Sequence, residues 1–378
     1  MPIRKALIIG GGIGGLCAAI ALRQKGVEVH VIEKQETPNV LGIGIIHQTN
    51  AVLAEAALGV VDEVLKQGWG FAGGRVHNEA GQLLYEIPAP SGLPDDLPAD
   101  MGITRPRLSA ILLKRAKALG TKMTAGSTAQ VIDNTSDGAT ALFSNGDTAN
   151  YDLVVGADGI YSDLRHRLWG EQYRAIFAGQ GGWRLNIPRP KELEQVWLYL
   201  RSGGGPNCGL MPLANDLAYM WCTSNEHSAN WKDQANLAKE MSNLVENVGG
   251  FYGELRDRYI TGDADIIYRP FEYIDLPTPW HKGSVVLIGD AAHAATAHLA
   301  QGAAMAMEDA VVLGDEVAAG GATPDILQRW EYRRYEKCCW VRETSLKLCL
   351  NEQGRLNEPG FDALTKVIEG RKRAMAPT

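Results

Sequence analysis

KALIIGGGIGGLCAAIALRQKG, residues 5–26, followed by VEVHVIEK to Lys34, decides the fold. Leu7, Ile8 and Ile9 form a short apolar run of the kind that lies in the middle of a parallel sheet. Gly10, Gly12 and Gly15 follow at once with the spacing G-x-G-x-x-G, and Leu16–Lys25 reads as a helix that stops at Gly26. Val27–Ile32 is a second β-branched run and delivers Glu33, 21 residues after Gly12. Each part has a physical role. Gly10 permits a tight turn, Gly12 allows a pyrophosphate to approach the backbone, and Gly15 lets the helix pack close to the strand. The helix N-terminus offers free N–H groups and partial positive charge to phosphates, and Glu33 can accept hydrogen bonds from a ribose.

The chain carries its own control for this pattern. Gly68, Gly70 and Gly73 have the same spacing, but they follow a helical segment and lead into GRVHNEAG, which is not helical. That copy reads as a loop, because strand–turn–helix context is what makes the glycines a phosphate site. The first copy has the context and predicts a bound dinucleotide, either FAD or NAD.

With 378 residues, 45% hydrophobic and 21% charged, the chain has the composition of a globular enzyme of one elaborate domain or two. The net charge of −7 and the lack of a sustained basic stripe exclude nucleic acid as an expected partner. The closing GRKRAMAPT reads as a solvated basic end. No apolar run approaches the roughly 20 residues that span a bilayer. The first strand begins by residue 6, which leaves no room for a cleavable signal. Six cysteines without C-x-x-C spacing read as reduced thiols, and the expected location is cytoplasmic.

Along the chain, Val40–Ile46 leads to His47, and Ala51–Leu65 reads as a helix interrupted at Gly59. Gly74–Ile87 reads as a hairpin turning at Asn78–Gly81, and a Pro-rich loop precedes Ile103-Thr104-Arg105. Arg107–Leu119 is helical, strands follow near Thr128–Asp133 and Ala139–Ser144, and Tyr151–Gly156 is another buried strand. After about residue 178 the pattern becomes that of an antiparallel sheet rich in Trp and Tyr, with strands at Gly182–Ile187, Gln195–Arg201, Gly209–Pro212 and Leu217–Thr223. Helices are expected at Asp233–Asn247 and Phe251–Tyr259. The parallel-strand pattern returns at SVVLIG from Ser284, followed by helices over Gln301–Ala319 and Leu327–Leu350. The expected class is α/β. A Rossmann-like nucleotide-binding domain comprises 1–73, 103–178 and 268–320, an inserted antiparallel-sheet substrate domain comprises 74–102 and 179–267, and a C-terminal helical region comprises 321–378.

Three stretches, GGGIGG at 10–15, VVGADGIYSDLR at 154–165 and VLIGDAAHAATAHLAQGAAMAMEDA at 286–310, resemble in order and spacing the class A flavoprotein monooxygenases. These are single-component FAD-dependent aromatic hydroxylases, and the 290–310 stretch is most similar to the hydroxynicotinate and quinolone hydroxylases. The family usually has a proline at the position of Ala297 and often Gly-Gln-Gly where this chain has Ala300-Gln301-Gly302. The resemblance implies bound FAD, with NADH or NADPH as a transient co-substrate. It implies hydroxylation by O2 of a small aromatic or N-heteroaromatic substrate, phenol-like or hydroxypyridine-like, through a flavin C4a-hydroperoxide. It places the cofactor against Gly10, Gly12, Gly14, Gly15, Glu33, Lys34, Arg105, Val131, Asp158, Asp290, Gln301, Gly302 and Ala303. Ser162 and Arg165 would support Asp158.

Asp290 ends a buried strand, where a carboxylate can accept hydrogen bonds from a ribityl hydroxyl. Gly302, Ala303 and Ala304 open a helix without bulk, so its N-terminus can meet a flat ring and favour negative charge there. The substrate's ring hydroxyl needs a base near working pH, for which histidine is suited. His47 and His298 are the candidates, Tyr219 is a third residue that could face the substrate, and His293 reads as structural. Neither His293 nor His298 has the partners of a metal site, and no metal is expected. A homodimer is the assembly considered. Two alternatives remain open, a flavin-dependent reductase of the geranylgeranyl-reductase type and a non-catalytic flavin redox sensor.

Overall fold

Leu7 and Ile8 have no exposed surface, and the Lys5–Ile9 strand they sit in pairs in parallel on both sides, with Glu28–Glu33 and with Leu153–Gly156. A strand buried on both faces cannot alternate polar and apolar residues, which is why this stretch reads as an unbroken apolar run. The computed structural model describes residues 3–36, 44–88, 97–200 and 207–376. Most of the expected Val40–Ile46 run and of the Pro-rich loop therefore lies outside the described residues. Around the Lys5–Ile9 strand a six-stranded sheet forms in the order His281–Lys282, Val285–Leu287, Leu153–Gly156, Lys5–Ile9, Glu28–Glu33, Lys122–Ala125. Only its His281–Lys282 edge is antiparallel.

The Ile13–Gln24 helix crosses this sheet and packs on the Gly302–Ala319 helix. Small residues set that approach: a Cβ on Gly314 would stand 3.1 Å from the Ala21 Cβ. The expected strand over Tyr151–Gly156 is two strands. Thr148–Tyr151 joins a three-stranded meander and Leu153–Gly156 joins the parallel sheet. Asp152 breaks them, its carboxylate accepting the backbone N–H groups of Arg4 and Lys5 at 2.8 Å each. The second glycine triplet is not a phosphate turn, as expected, but neither is it plain loop: Trp69–Phe71 is a short strand beside Asp100–Thr104. The basic tail is also ordered. Gly370–Ala374 belongs to a last helix, Ala363–Ala374, and Arg371 forms an ion pair with the buried Asp100.

The Trp- and Tyr-rich segment forms a seven-stranded sheet with the Gly74–Asn78 and Leu83–Ile87 hairpin at one edge. Its opposite edge strand is Ile266–Tyr273, so position 268, expected to open the return to the nucleotide-binding domain, falls inside this sheet. Period-two alternation gives the sheet two unlike faces. Trp183, Leu185, Met220, Cys222 and Tyr268 are buried beneath the Leu237–Leu244 and Gly250–Tyr259 helices. Arg184, Tyr219 and Arg269 point the other way: Arg269 pairs with Gly182 and Tyr219 with Asn186, positions that share a face with Arg184.

One buried charged cluster ties the C-terminal helices to the parallel sheet. Asp309, with no exposed surface, accepts from Gly289 N–H at 2.8 Å, His293 Nε2 at 2.7 Å and Arg334 Nε at 2.7 Å. Burial alone would raise the Asp309 carboxyl, but the His293 and Arg334 charges outweigh it and hold the group well below the usual range. Burial likewise opposes charge on His293, while Cys338 and Asp309 carry it well above its ordinary value. Losing one partner of such a cluster leaves buried charge uncompensated, so Asp309→Ala is expected to cost about 3–5 kcal/mol in urea unfolding at neutral pH. The signs of the two groups differ. Asp309 is depressed on folding, so its contribution is complete above about pH 4 and is lost only as pH falls towards its folded value. His293 is raised, so its contribution is complete below about pH 6.5 and is lost as pH rises through its folded value.

Candidate active site

Where the glycine turn, the Gly302 helix and the second sheet converge there is a cleft of about 710 Å³, within the roughly 300–1,000 Å³ of ligand sites. One wall is Gly12, Ile13 and Gly14 with Asp290, Gly302, Ala303 and Ala306; the facing wall is Gly44–Ile46, Arg184, Tyr219, Arg269 and Phe271. Tyr161, Trp231 and Glu272 line it as well, Tyr161 and Trp231 being more than half exposed. The Arg269 guanidinium stacks 3.9 Å from the Trp231 ring centre, and the Tyr161 hydroxyl donates to Glu272.

The turn has the geometry its glycines require. Gly10 has φ +110, and a Cβ there would stand 2.3 Å from the Ala157 carbonyl oxygen; a Cβ on Gly15 would stand 1.9 Å from the Gly10 oxygen. Gly12 differs, since a Cβ on it would meet nothing within 4 Å. Packing therefore does not demand glycine at position 12. Gly12 N-caps the Ile13–Gln24 helix without a side-chain cap, leaving first-turn N–H groups to face the cleft. Glu33 sits at the turn, accepting from Gly11 N–H at 2.8 Å and Gln35 N–H at 3.0 Å. Lys34 beside it is exposed, and Val131 is half-buried on the meander's Ala129–Thr135 strand.

The other expected residues divide between cleft and support. Arg105, Asp290, Gly302, Ala303 and Tyr219 line the cleft. Asp158 caps the Asp163–Trp169 helix by accepting from Leu164 N–H at 3.2 Å. Arg165 is fully buried and bonds the carbonyls of Ile160, Tyr173 and Ala291, so it braces the turn. Gln301 is buried too: its amide bonds Gln48 and accepts from Asn50 Nδ2 at 2.8 Å, fastening the start of the Gly302 helix to the Gly44–Gln48 strand. The turn at Ala297–Leu299 forms without proline. Ala300 after it takes φ 53, ψ 32, a left-handed conformation that costs an alanine about 1–2 kcal/mol and a glycine little.

His47 is a correction. Strand alternation turns it from the cleft toward the Thr49–Leu58 helix, where it is fully buried with Nδ1 2.7 Å from Glu55 Oε1. It cannot reach a substrate in the cleft. His298 is also not on the cleft surface; it lies one layer behind, bonded to Thr296 and Gln180, and burial holds its pKa down at about 4. His293 does meet two groups that could ligate a metal, Asp309 and Cys338, all within 4.8 Å, but the Arg334 guanidinium already occupies the Asp309 carboxylate.

The residue sequence reading missed is Arg184. Its signal was the alternation Trp183-Arg184-Leu185, which puts a cation on the face opposite two apolar side chains. Burial lowers the Arg184 pKa, Tyr219 opposes this, and Arg105 and Arg269 lower it further. Three guanidinium groups thus share one cleft. Burial raises the Tyr219 phenol against the pull of Arg184 and Arg105, so it stays a hydrogen-bond donor at neutral pH.

Residues 4–338 match the family model described as FAD binding domain. The chain belongs to that family, the aromatic-hydroxylase class of FAD-dependent monooxygenases. YetM of Bacillus subtilis (strain 168), to which FAD-dependent monooxygenase activity is assigned provisionally, is 32% identical over 96% of this chain and 97% of its own length. The 2-heptyl-3-hydroxy-4(1H)-quinolone synthase of Mycobacteroides abscessus is 32% identical over 86% of this chain and 84% of its own. In fold, the chain resembles Klebsiella pneumoniae HpxO complexed with FAD and uric acid, with a TM-score of 0.81 at 23% identity, covering 98% and 93% of the two chains. It also resembles 2-methyl-3-hydroxypyridine-5-carboxylic acid oxygenase, with a TM-score of 0.79 at 24% identity, covering 98% of each.

The open space at Gly12 could hold a pyrophosphate, and the Gly302–Ala303 surface, without side-chain bulk, could hold the edge of a flat ring. The two glycines should respond oppositely. Gly15→Ala drives a methyl group into the Gly10 carbonyl of the turn and is expected to lower apoprotein stability by about 1–3 kcal/mol or more. Gly12→Ala should leave the apoprotein melting temperature near wild type yet reduce the FAD retained through purification, measured as flavin absorbance per chain.

Proposed function

We propose that the protein is an NAD(P)H-dependent monooxygenase that hydroxylates a small, anionic aromatic or N-heteroaromatic ring, such as a hydroxypyridine or phenol carboxylate. The observation that carries this reading is Arg184 and Tyr219 side by side on the cleft face of the second sheet, in the same cleft as the Gly302 helix N-terminus. When bound, the flavin accepts hydride and activates oxygen; the chain supplies position, charge and exclusion of water. Arg184 pairs with an acidic substituent, with Arg105 and Arg269 adding to the positive field, and the Tyr219 hydroxyl donates to a ring substituent. Ile45, Ile46 and Phe271 cover the ring's apolar faces. Tyr161 and Trp231 at the mouth offer flat surfaces to a nicotinamide that visits and leaves. The names of the quinolone synthase and the hydroxypyridine-carboxylic acid oxygenase support a heteroaromatic substrate.

The test is a panel of hydroxypyridine carboxylates, phenol carboxylates and quinolones scored for stimulated NADH and NADPH oxidation, with product mass. A gain of one oxygen is expected, whereas a gain of two hydrogens, or no stimulation by any compound, would contradict the reading. With the best substrate, Arg184→Met should raise KM about 10- to 100-fold, the loss of a hydrogen bond to a charged group worth about 1.5–3 kcal/mol.

A further inference from the structure

We propose that Trp231 and Lys232 clip over the edge strand of the second sheet and hold the Arg269 guanidinium in the cleft, as positioning residues for the acidic group of the substrate. The proposal rests on the reading of the cleft as a site for an anionic ring. Tyr268 and Arg269 are consecutive on the Ile266–Tyr273 strand and so project from opposite faces of the sheet. Trp231 and Lys232, also consecutive, take one face each. The Trp231 ring meets the Arg269 guanidinium at 3.9 Å on the cleft face. Lys232 Nζ lies on the other face, 5.3 Å from the ring centres of both Trp183 and Tyr268.

Lys232 is the anchor of the pair. Its Nζ donates to Glu240 Oε2 at 3.0 Å and pairs with Glu226 Oε2 at 3.2 Å, so two carboxylates and two aromatic faces surround one ammonium group. Glu240 belongs to the Leu237–Leu244 helix, and the tie therefore reaches the layer that covers the back of the sheet. Two residues beyond Lys232, Gln234 Nε2 donates to the Ile266 carbonyl at 3.1 Å, a further tie to the same strand. Trp231 by contrast is more than half exposed, and its anchored neighbour keeps the indole over the strand.

Arg269 needs such a hold. It shares the cleft with Arg105 and Arg184, and like charges repel more strongly where water is sparse. Burial lowers the Arg269 pKa, Tyr161 opposes this, and Arg105 lowers it further. From an edge strand, a long side chain relieves that repulsion by swinging its head group out into solvent. A guanidinium laid flat on an indole meets the negative face of the ring and has its rotamers restricted in advance. An incoming carboxylate then finds the charge in place and does not have to order it.

The test uses flavin-loaded protein and two ligands of one shape, 4-hydroxybenzoate and the uncharged 4-hydroxybenzamide, with dissociation constants measured by calorimetry. The wild type should bind the acid at least about tenfold tighter than the amide. Trp231→Ala removes the stacking ring, and Lys232→Met alters a residue outside the cleft lining. Each should weaken the acid by about 3- to 10-fold and the amide by less than about twofold. Trp231→Phe and Lys232→Arg, which keep a ring and a cation, should recover most of the loss. In an Arg269→Met background, Trp231→Ala should add nothing further, because the two side chains act as one unit. Equal weakening of acid and amide, no effect of Lys232→Met, or full additivity with Arg269→Met would overturn the clip and leave the hydroxylase reading intact. A wild type that binds the acid no better than the amide, or binds neither, would remove the anionic-ring reading and the clip with it.

Discussion

A single buried carboxylate holds the site together. Asp309 takes the backbone N–H of Gly289, the His293 imidazole and the Arg334 guanidinium at once, and thereby joins the turn after Val285–Leu287 to both long C-terminal helices. A lone carboxylate buried this deeply would be too costly to keep ionised. With two cations and a backbone donor it becomes a rigid fastening instead. Gly289, whose φ of +57 suits glycine, turns the chain so that Asp290 and the Gly302 helix start face the cleft. Arg165 and Gln301 act the same way one step further out, bracing loops beside the cleft.

The facing wall depends on a simpler constraint. An antiparallel sheet covered by helices on one face must put its alternate residues on the other, and here that other face lines the cleft. Packing Trp183, Leu185 and Tyr268 beneath the two helices is what aims Arg184, Tyr219 and Arg269 at the site. Shifting the register by one residue would bury two guanidinium groups and expose the aromatic core.

Much of this was legible in the sequence because some of its physics is local. The glycine turn, the parallel strands beside it and the small-residue helix at 302 each carry their reason within a few residues. The second sheet was legible as a sheet. Its edge at Ile266–Tyr273 was not, because pairing with Ile176–Pro188 is a contact across 81 to 97 positions that no local pattern encodes. The histidines failed for a related reason. Proximity along the chain placed His47 and His298 near the cleft, but the side-chain direction of His47 is set by strand alternation, and His298 is held behind the cleft wall by Gln180, which is remote in sequence. Arg184 was readable from alternation, yet one arginine among many gives no sign of the cleft it faces until the two sheets are brought together.

The central claim is that one cleft holds a flavin against the glycine turn and the Gly302 helix, with its ring exposed to the Arg184 and Tyr219 face. A crystal structure of the protein grown with FAD tests it most directly. The account predicts one FAD per chain, its phosphates at Gly12 and its isoalloxazine edge at Gly302 and Ala303, with the ring face open toward Arg184. A nicotinamide dinucleotide at the turn, or a flavin bound elsewhere with the Arg184 face closed off from it, would contradict the account.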